Sequence, residues 1–195
     1  MILLFCAVNL TEARWIVIVL DNVKKLIRTI PDYPKPGIMF RDVTTLMRDA
    51  NGFKAAVTEM AKPFADQKID AVAAIEARGF IFGGAVADKL GCGFIPIRKK
   101  GKLPWTTIGQ QYTLEYGVDT IEVHLDAVKS GDRILIVDDL IATGGTAEAA
   151  VKLITRVNGI IVGATFVIDL PELGGMKLLK SHGVDSHALV TFDGH

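Results

Sequence analysis

The segment Arg133–Thr146, with the sequence RILIVDDLIATGGT, constrains the fold more than any other part of this 195-residue chain. Its first residues, 133–137, are mostly aliphatic without alternation, which is typical of a strand buried on both faces of a parallel sheet. A turn of small residues then opens a helix that we predict over 146–157. A strand, a turn and a helix in this order indicate a sheet that binds ligands at the carboxyl ends of its strands.

Alternating strands and helices continue through the rest of the chain. Five further strands are predicted from aliphatic or alternating runs, at 71–75, 94–97, 121–126, 160–168 and 188–191. Other helices are predicted from apolar stripes and their flanking breakers, at 21–30, 51–64, 80–90 and 176–181. Elements in this order predict an α/β fold, with a mainly parallel central sheet covered by helices on both faces.

Two segments lack the pattern of either element. Residues 31–37 contain three prolines, which lack backbone donors and bias the preceding residues away from helix, so we expect a stiff exposed loop. Residues 99–113 are polar, carry Gly101, Pro104 and Gly109, and show no hydrophobic period. We predict a long mobile loop there, and long loops inside compact domains are usually functional.

The composition predicts one globular domain without a strongly charged surface. The length suits a single domain, which we place at residues 21–195, behind an N-terminal extension of unclear role at 1–20. The 22 basic and 22 acidic residues balance, so no net field attracts nucleic acid or an anionic membrane. Cys6 and Cys92 lie far apart, which fits a reducing cytoplasm and gives neither a disulfide nor a zinc pattern.

Several functional classes find no support in the sequence. The apolar stretches at 1–8 and 15–20 are each too short to span a bilayer, and no basic segment precedes them. Neither a triphosphatase phosphate loop nor the glycine pattern of a dinucleotide site occurs. The four histidines show no metal-ligand spacing, so we assign no metal to His124, His182, His187 or His195.

Two acidic residues and a glycine-rich turn follow the strand predicted at 133–137. Asp138 and Asp139 offer carboxylates, strong acceptors that suit the paired hydroxyl groups of a ribose. Backbone N–H groups of the next turn, at the positive end of a helix dipole, favour a phosphate; the turn consists of Ala142, Thr143, Gly144, Gly145 and Thr146. An ordinary buried strand with a Gly-rich turn is the alternative, but it leaves the acids and threonines unexplained. The pattern favours a site for ribose 5-phosphate.

This segment closely resembles the phosphoribosyl pyrophosphate (PRPP) motif of the type I phosphoribosyltransferases. Four further segments match the same family, namely Asp32–Asp42, Glu76–Phe80, Arg98–Pro104 and Tyr112–Gly117. The resemblance spans residues 22–195 and implies the family's fold, with a flexible catalytic loop and a small N-terminal hood that binds the base. It implies transfer of the phosphoribosyl group of PRPP to adenine, giving AMP and pyrophosphate in purine salvage.

The resemblance also implies a cofactor and an assembly. Magnesium would bridge oxygens of PRPP, and we assign it no protein ligand. Because family members are typically homodimers, we expect a cytoplasmic homodimer that binds small-molecule substrates and neither nucleic acid nor membrane. One alternative is the same chemistry on another base, such as hypoxanthine, guanine, xanthine or orotate. The other is a non-catalytic regulator that keeps the fold as a PRPP sensor and binds nucleic acid.

Departure of pyrophosphate requires positive charge where negative charge develops on the leaving group. Arg78, Arg98 and Lys102 are the candidate catalytic cations. In the family, the turn that matches Glu76, Ala77 and Arg78 binds pyrophosphate, often through a cis peptide, which would join Glu76 to Ala77. Judged alone, a helix-capping turn and a solvated run of charges are the alternatives. Their positions after two predicted strands favour roles in pyrophosphate binding.

Two further groups are candidates for the base and its proton. Glu115 is our candidate for the residue that handles the proton lost from adenine, and Tyr116 for one that orients the ribose or pyrophosphate. Phe40 can stack on a purine, and the resemblance implies that main-chain groups of Met39 and Arg41 read the adenine edge. For Glu115 and Tyr116 the alternative is a surface strand, and a role in holding the loop in place is favoured over direct chemistry. For Met39 and Phe40 the alternative is packing in the core.

Overall fold

The computed structural model describes residues 10–113 and 117–194. Its helices are α1 (Leu10–Lys25), α2 (Thr44–Arg48), α3 (Ala50–Ala61), α4 (Gly79–Leu90), α5 (Gly145–Arg156) and α6 (Gly175–Ser181). Its strands are β1 (Arg28–Pro31), β2 (Met39–Asp42), β3 (Ala71–Ile75), β4 (Gly93–Lys99), β5 (Thr107–Thr113), β6 (Val118–His124), β7 (Arg133–Ile141), β8 (Ile160–Asp169) and β9 (Ser186–Thr191). Single 3₁₀ turns at Lys62–Phe64 and Pro171–Leu173 follow α3 and β8.

Seven of the strands form one sheet, in the order β5-β6-β4-β3-β7-β8-β9. Strands β4, β3, β7, β8 and β9 are parallel, whereas β5 and β6 join antiparallel at one edge. This arrangement confirms the predicted α/β fold with a mainly parallel sheet. The carboxyl ends of β3 and β7 lie side by side, at the edge where such sheets bind ligands.

Burial on both faces of the sheet explains the unbroken aliphatic run of β7. Ile136 packs in one core with Leu153 of α5, and Leu135 packs in the other core with Phe82 of α4. All four side chains have no exposed surface. Burial of one such side chain contributes about 1.5–3 kcal/mol, so a polar residue is disfavoured in β7 until the strand reaches the ligand edge.

The strands β1 and β2 form a separate two-stranded antiparallel sheet, the hood, in which Arg28 pairs with Asp42 and Pro31 with Met39. Arg28 Nη2 lies 2.5 Å from Asp42 Oδ2, and the backbone N–H of Thr44 donates to Asp42 Oδ1 over 3.0 Å. Burial would raise the pKa of Asp42, but these donors outweigh it and hold the pKa below its ordinary value. A charged Asp42 therefore fixes β2 to β1 and to the start of α2.

The helix predicted over 21–30 is wrong at both ends. Helix α1 begins at Leu10 and ends at Lys25, so it crosses the predicted boundary at residue 20, and Arg28–Pro31 form β1. Val23 and Ile27 of the predicted stripe are buried, but the helix ends before Ile27, since pairing of residues 28–31 with β2 outweighs the local helical preference. Across residues 10–113 and 117–194, no helix is long and apolar enough to cross a membrane.

The loop predicted over 99–113 is also partly wrong, because its second half is the edge strand β5. This strand pairs with β6 from Thr107 opposite His124 to Thr113 opposite Val118. Its only core-facing apolar side chains are Ile108 and Tyr112, which pack against the core next to α5. Two apolar residues four positions apart lie on one face of a strand, but they are too few to reveal a hydrophobic period.

Candidate active site

Three adjoining cavities lie at the carboxyl ends of β3 and β7, and Leu140 lines all of them. The largest, of about 480 Å³, lies between the turn after β3 and the end of β7. A second, of about 200 Å³, lies under the hood, and a third, of about 160 Å³, lies in the turn before α5. We call them the central, hood and loop cavities. Strand β7 extends to Ile141, four residues beyond the predicted end, so the two adjacent acids lie within the strand.

Asp138 and Asp139 both line the central cavity, as the sequence predicted for a pair of acceptors. The backbone N–H of Asp139 donates to Asp138 Oδ1 over 2.8 Å, and Arg78 Nε donates to Asp139 Oδ2 over 2.5 Å. Burial, followed by the charge of Asp139, raises the pKa of Asp138 well above its ordinary value. Asp139 is thus paired with a cation, whereas Asp138 holds its proton to a higher pH than a free aspartic acid does.

The first residue of α4 allows this acid pair to lie close to the turn after β3. A Cβ atom added to Gly79 would lie 2.6 Å from Asp138 Oδ1 and 3.2 Å from Asp138 Cα. A side chain at this position would displace the backbone of β7 or of α4. Gly79 therefore contributes to the site by having no side chain. The matching segment Glu76–Phe80 contains Gly79, but the sequence alone did not predict this role.

The turn predicted to bind phosphate encloses the loop cavity, which is lined by Ala142, Thr143, Gly144 and Thr146 among others. Gly144 has φ +86°, and Gly145 is the first residue of α5, so the helix N-terminus faces this cavity. Behind the turn, the N–H of Gly175 in α6 donates to the carbonyl oxygen of Ala142 over 3.0 Å. A Cβ atom on Gly144 would lie 2.8 Å from Gly175 Cα, so two glycines are packed back to back.

Glu76 binds two of the three basic residues that the sequence predicted for pyrophosphate, whereas the third, Arg78, pairs with Asp139. The Glu76 carboxylate accepts from Arg98 Nε at 3.0 Å and from the N–H of Lys99 at 2.8 Å, and it lies 3.3 Å from Lys102 Nζ. Burial would raise the pKa of Glu76, but these donors outweigh it and lower the pKa. The Glu76–Ala77 peptide is cis, as the resemblance implied.

The predicted residues of this turn are therefore brought together at the central cavity. Its lining includes Glu76, Ala77 and Arg78. Arg98 and Lys102 lie next to it, held by Glu76, and both side chains keep about a third or more of their surface exposed. Their positive charge is available at the mouth of the cavity.

The hood cavity has mostly apolar walls, which suit a flat heteroaromatic ring. Met39, Phe40 and Arg41 line it on the hood side, and Leu170 and Leu173 line it on the sheet side. The Phe40 ring meets Tyr33 edge-on at 5.2 Å between centroids, and the guanidinium of Arg78 lies 5.3 Å from its centroid. The predicted base-binding residues thus lie together, next to the central cavity.

Sequence reasoning missed several residues of the cleft. Lys99 and Tyr112 line the central cavity, and both contact Asp119, at 2.9 Å from Lys99 Nζ and 3.4 Å from the Tyr112 hydroxyl. Burial raises the pKa of Tyr112, so its hydroxyl keeps its proton. Tyr112 is the first residue of the matching segment Tyr112–Gly117, so it could have been predicted from the sequence. Leu170 and Leu173 of the hood cavity are apolar and gave no chemical signal.

Two predicted site residues and one possible cofactor need separate mention. Glu115 and Tyr116 lie outside the described residues. Within residues 10–113 and 117–194, no three His, Cys, Asp or Glu side chains are grouped so that they could hold a metal ion.

The comparisons with known proteins agree with this geometry. Residues 46–186 match the model of the phosphoribosyl transferase domain. The chain is 60% identical over 173 residues to the adenine phosphoribosyltransferase of Maricaulis maris, covering 89% of this chain and 99% of that protein. It superposes on the adenine phosphoribosyltransferase of Rhodothermus marinus with a TM-score of 0.86 and 48% identity, covering 90% of this chain and 99% of that one.

A yeast structure adds information about ligands. The chain is 33% identical to the adenine phosphoribosyltransferase of Saccharomyces cerevisiae, with a TM-score of 0.83, covering 89% of this chain and 99% of that one. That yeast enzyme was crystallised with adenine and an imino-altritol bisphosphate.

Proposed function

The chain belongs to the phosphoribosyltransferase family, among its adenine phosphoribosyltransferases, and from this premise we propose that it joins adenine to the phosphoribosyl group of PRPP. In this reaction N9 of adenine bonds to C1 of the ribose, the bond from C1 to pyrophosphate breaks, and N9 loses its proton. The products are AMP and pyrophosphate, and the reaction salvages a free purine.

The observation that carries the proposal is the meeting of three cavities of different chemistry at Leu140. Amide donors and a helix N-terminus surround the loop cavity, acids and cations surround the central cavity, and apolar groups surround the hood cavity. A 5-phosphate, a ribose with pyrophosphate, and a purine need these environments in this order.

We assign the ribose 5-phosphate to the end of β7 and the turn that follows. Asp139 accepts a hydrogen bond from a ribose hydroxyl, and Asp138, whose pKa is raised by burial and by the charge of Asp139, can donate when it is protonated as well as accept. The 5-phosphate binds in the loop cavity, where hydroxyl and amide donors are available from Ala142, Thr143, Gly144, Gly145 and Thr146.

We assign pyrophosphate to the turn after β3. Glu76, Ala77 and Arg78 line the central cavity, and Arg98 and Lys102 lie next to it, paired with Glu76. A pyrophosphate carries more negative charge than one carboxylate, so it competes with Glu76 for both cations. The cations then stabilise the charge that develops on the leaving group.

We assign adenine to the hood cavity. Phe40 stacks on the purine, and main-chain groups of Met39 and Arg41 read its edge, because a carbonyl accepts from a 6-amino group and repels a 6-oxo group. Glu115 takes or relays the proton from N9, and Tyr116 orients the ribose or pyrophosphate. Both assignments rest on the family resemblance.

Magnesium fits the donor set of the central cavity as a substrate-bound ion. Mg²⁺ is commonly held largely by substrate phosphates, so we assign it no direct protein ligand, and the carboxylate of Asp139 supplies negative charge in the same cavity. When bound, the ion would supply positive charge that stabilises the departing pyrophosphate. The protein's own residues still provide the orientation and the proton transfer.

We further propose a homodimer in the cytoplasm that binds neither nucleic acid nor membrane. The balance of 22 basic and 22 acidic residues supports the absence of nucleic-acid and membrane binding, whereas the homodimer follows from the family resemblance. Light scattering after size exclusion measures the assembly, and a molar mass near 21 kDa would contradict the dimer.

The direct test is product analysis of the purified protein with PRPP, Mg²⁺ and single free bases. Adenine should give AMP and release pyrophosphate, whereas hypoxanthine, guanine, xanthine and orotate should give little product. Turnover with another base in preference to adenine would overturn the choice of base. No turnover with any base, together with retention on nucleic acid at physiological salt, would favour the non-catalytic regulator instead.

A further inference from the structure

The C-terminal residues after β9 hold the side chain of Arg41. The guanidinium carbon of Arg41 lies 4.5 Å from the centroid of the Phe192 ring, and its Nη2 donates to the carbonyl oxygen of Asp193 over 2.9 Å. Its Nη1 donates to Thr29 Oγ1 over 2.6 Å. The ammonium of Lys24 lies 4.9 Å from the same Phe192 centroid. One ring thus joins the end of α1, the hood and the C-terminal segment.

Arg41 depends on this contact because it is largely removed from water. The residue is 9% exposed, and its Nε is buried without a hydrogen-bond partner among the described residues. A buried guanidinium with an unmet donor is held by its remaining partners, which here are a carbonyl, a hydroxyl and an aromatic face. Loss of the ring would admit water and free the side chain.

The position of Arg41 matters because this residue lines the hood cavity. Strand β2 has one partner, β1, and the ion pair between Arg28 and Asp42 fixes these two strands to each other. The bond from Arg41 to Asp193 spans 152 positions in the sequence and reaches the end of β9 in the large sheet. It therefore fixes the height of the hood above the sheet side of the cavity.

We infer that Phe192, with the carbonyl of Asp193, is a positioning element for base binding, which acts through the side chain of Arg41. The inference rests on the proposed function, since it concerns the base in the hood cavity. Phe192 is not among the residues that line that cavity. It positions the main-chain groups that recognise the base and does not affect the binding of PRPP.

The test compares Phe192→Ala with Phe192→Tyr, which keeps the aromatic face. Phe94→Ala is the matched control, because Phe94 is a partly exposed aromatic residue in the first half of β4. For Phe192→Ala we expect an increase of about tenfold in KM for adenine, with kcat and KM for PRPP unchanged within about twofold. Phe192→Tyr and Phe94→Ala should retain the wild-type KM for adenine.

A second arm asks whether the ring acts through Arg41. Arg41→Met should raise KM for adenine, and adding Phe192→Ala to it should raise KM no further, because the contact is already lost. An unchanged KM for adenine in Phe192→Ala, an equal rise of KM for PRPP, or additive effects in the double variant would each overturn the inference.

Hydrogen exchange separates this inference from the proposed function. If the wild-type protein formed no AMP from adenine, the proposed function would fail, whatever Phe192 does. Amides of residues 39–42 should still exchange faster in Phe192→Ala than in wild type or Phe94→Ala. Equal exchange in all three proteins would overturn the positioning role by itself.

Discussion

Arg78 donates a hydrogen bond from Nε to Oδ2 of Asp139, which joins the turn after β3 to the end of β7. Burial alone would lower the pKa of Arg78, but the charge and hydrogen bond of Asp139 raise it. In the proposed reaction, ribose hydroxyls compete with Arg78 for Asp139, while pyrophosphate competes with Asp139 for Arg78. Each half of PRPP therefore eases the binding of the other half.

Replacing Asp139 should weaken PRPP binding. Asp139→Asn keeps the shape but removes a charged acceptor, a loss of about 1.5–3 kcal/mol, so KM for PRPP should rise roughly 10- to 150-fold. Asp88→Asn, at an exposed position of α4, is the control and should leave KM unchanged. Steady-state kinetics at saturating adenine measures both. Wild-type PRPP affinity in Asp139→Asn would disprove the ribose assignment.

Replacing Gly175 should disturb the loop cavity from behind. A Cβ atom there would lie 2.6 Å from Ile141 Cγ1 and 2.9 Å from the backbone nitrogen of Gly144. Gly175→Ala should cost about 1–3 kcal/mol of stability and weaken binding of ribose 5-phosphate, measured by calorimetry. Gly84→Ala in α4, with nothing within 4 Å of the added Cβ, should do neither. Unchanged phosphate binding in Gly175→Ala would exclude this support.

Replacing Phe40 should affect the base alone. Phe40→Leu keeps an apolar wall but removes the stacking face, so adenine binding should weaken by about 1–3 kcal/mol while KM for PRPP stays the same. Phe94→Leu is a matched aromatic-to-aliphatic control on the amino-terminal half of β4. The check is KM for each substrate, and an adenine KM equal to that of wild type would refute stacking on Phe40.

The hydrogen bonds of Glu76 predict a pH dependence of stability. Its pKa is below the ordinary value of 4.5, so it stabilises the folded state above the unfolded pKa, and this contribution disappears as pH falls through the folded pKa. Wild type should exceed Glu76→Gln in free energy of unfolding near pH 7, and the difference should shrink as pH falls below 4.5. Denaturant unfolding at several pH values measures it.

The control for this prediction is Glu172→Gln, the same substitution at an exposed position. A difference between wild type and Glu76→Gln that stays constant with pH would show that the carboxylate charge of Glu76 does not stabilise the fold.

The sequence predicted the parts of the site that one continuous segment provides. The end of β7 and its glycine turn bring Asp138, Asp139 and the residues predicted to bind phosphate together by strand and helix geometry alone. The paired aliphatic cores also followed from local patterns. Such features can be predicted without knowing which distant segments they contact, because the spacing of apolar residues along the chain indicates which surfaces are buried.

Contacts between distant segments could not be predicted in this way. Arg98 binds Glu76, which is 22 positions away in the sequence, and Arg41 binds Asp193, which is 152 positions away. Neither pair has a sequence signature. The same holds for β1, whose strand conformation depends on pairing with β2, and for the edge strand β5, whose mostly polar sequence did not predict a strand. In each case the free energy of pairing comes from a segment that local patterns do not include.

Because Leu140 borders all three cavities, this one position cannot be adapted to a single ligand. Any change in its volume would alter the proposed contacts of sugar, phosphate and purine together. Divergence toward a different purine within this architecture would instead proceed through positions that border the hood cavity alone, such as Leu173. Redesign of base preference should start there and keep Leu140 fixed.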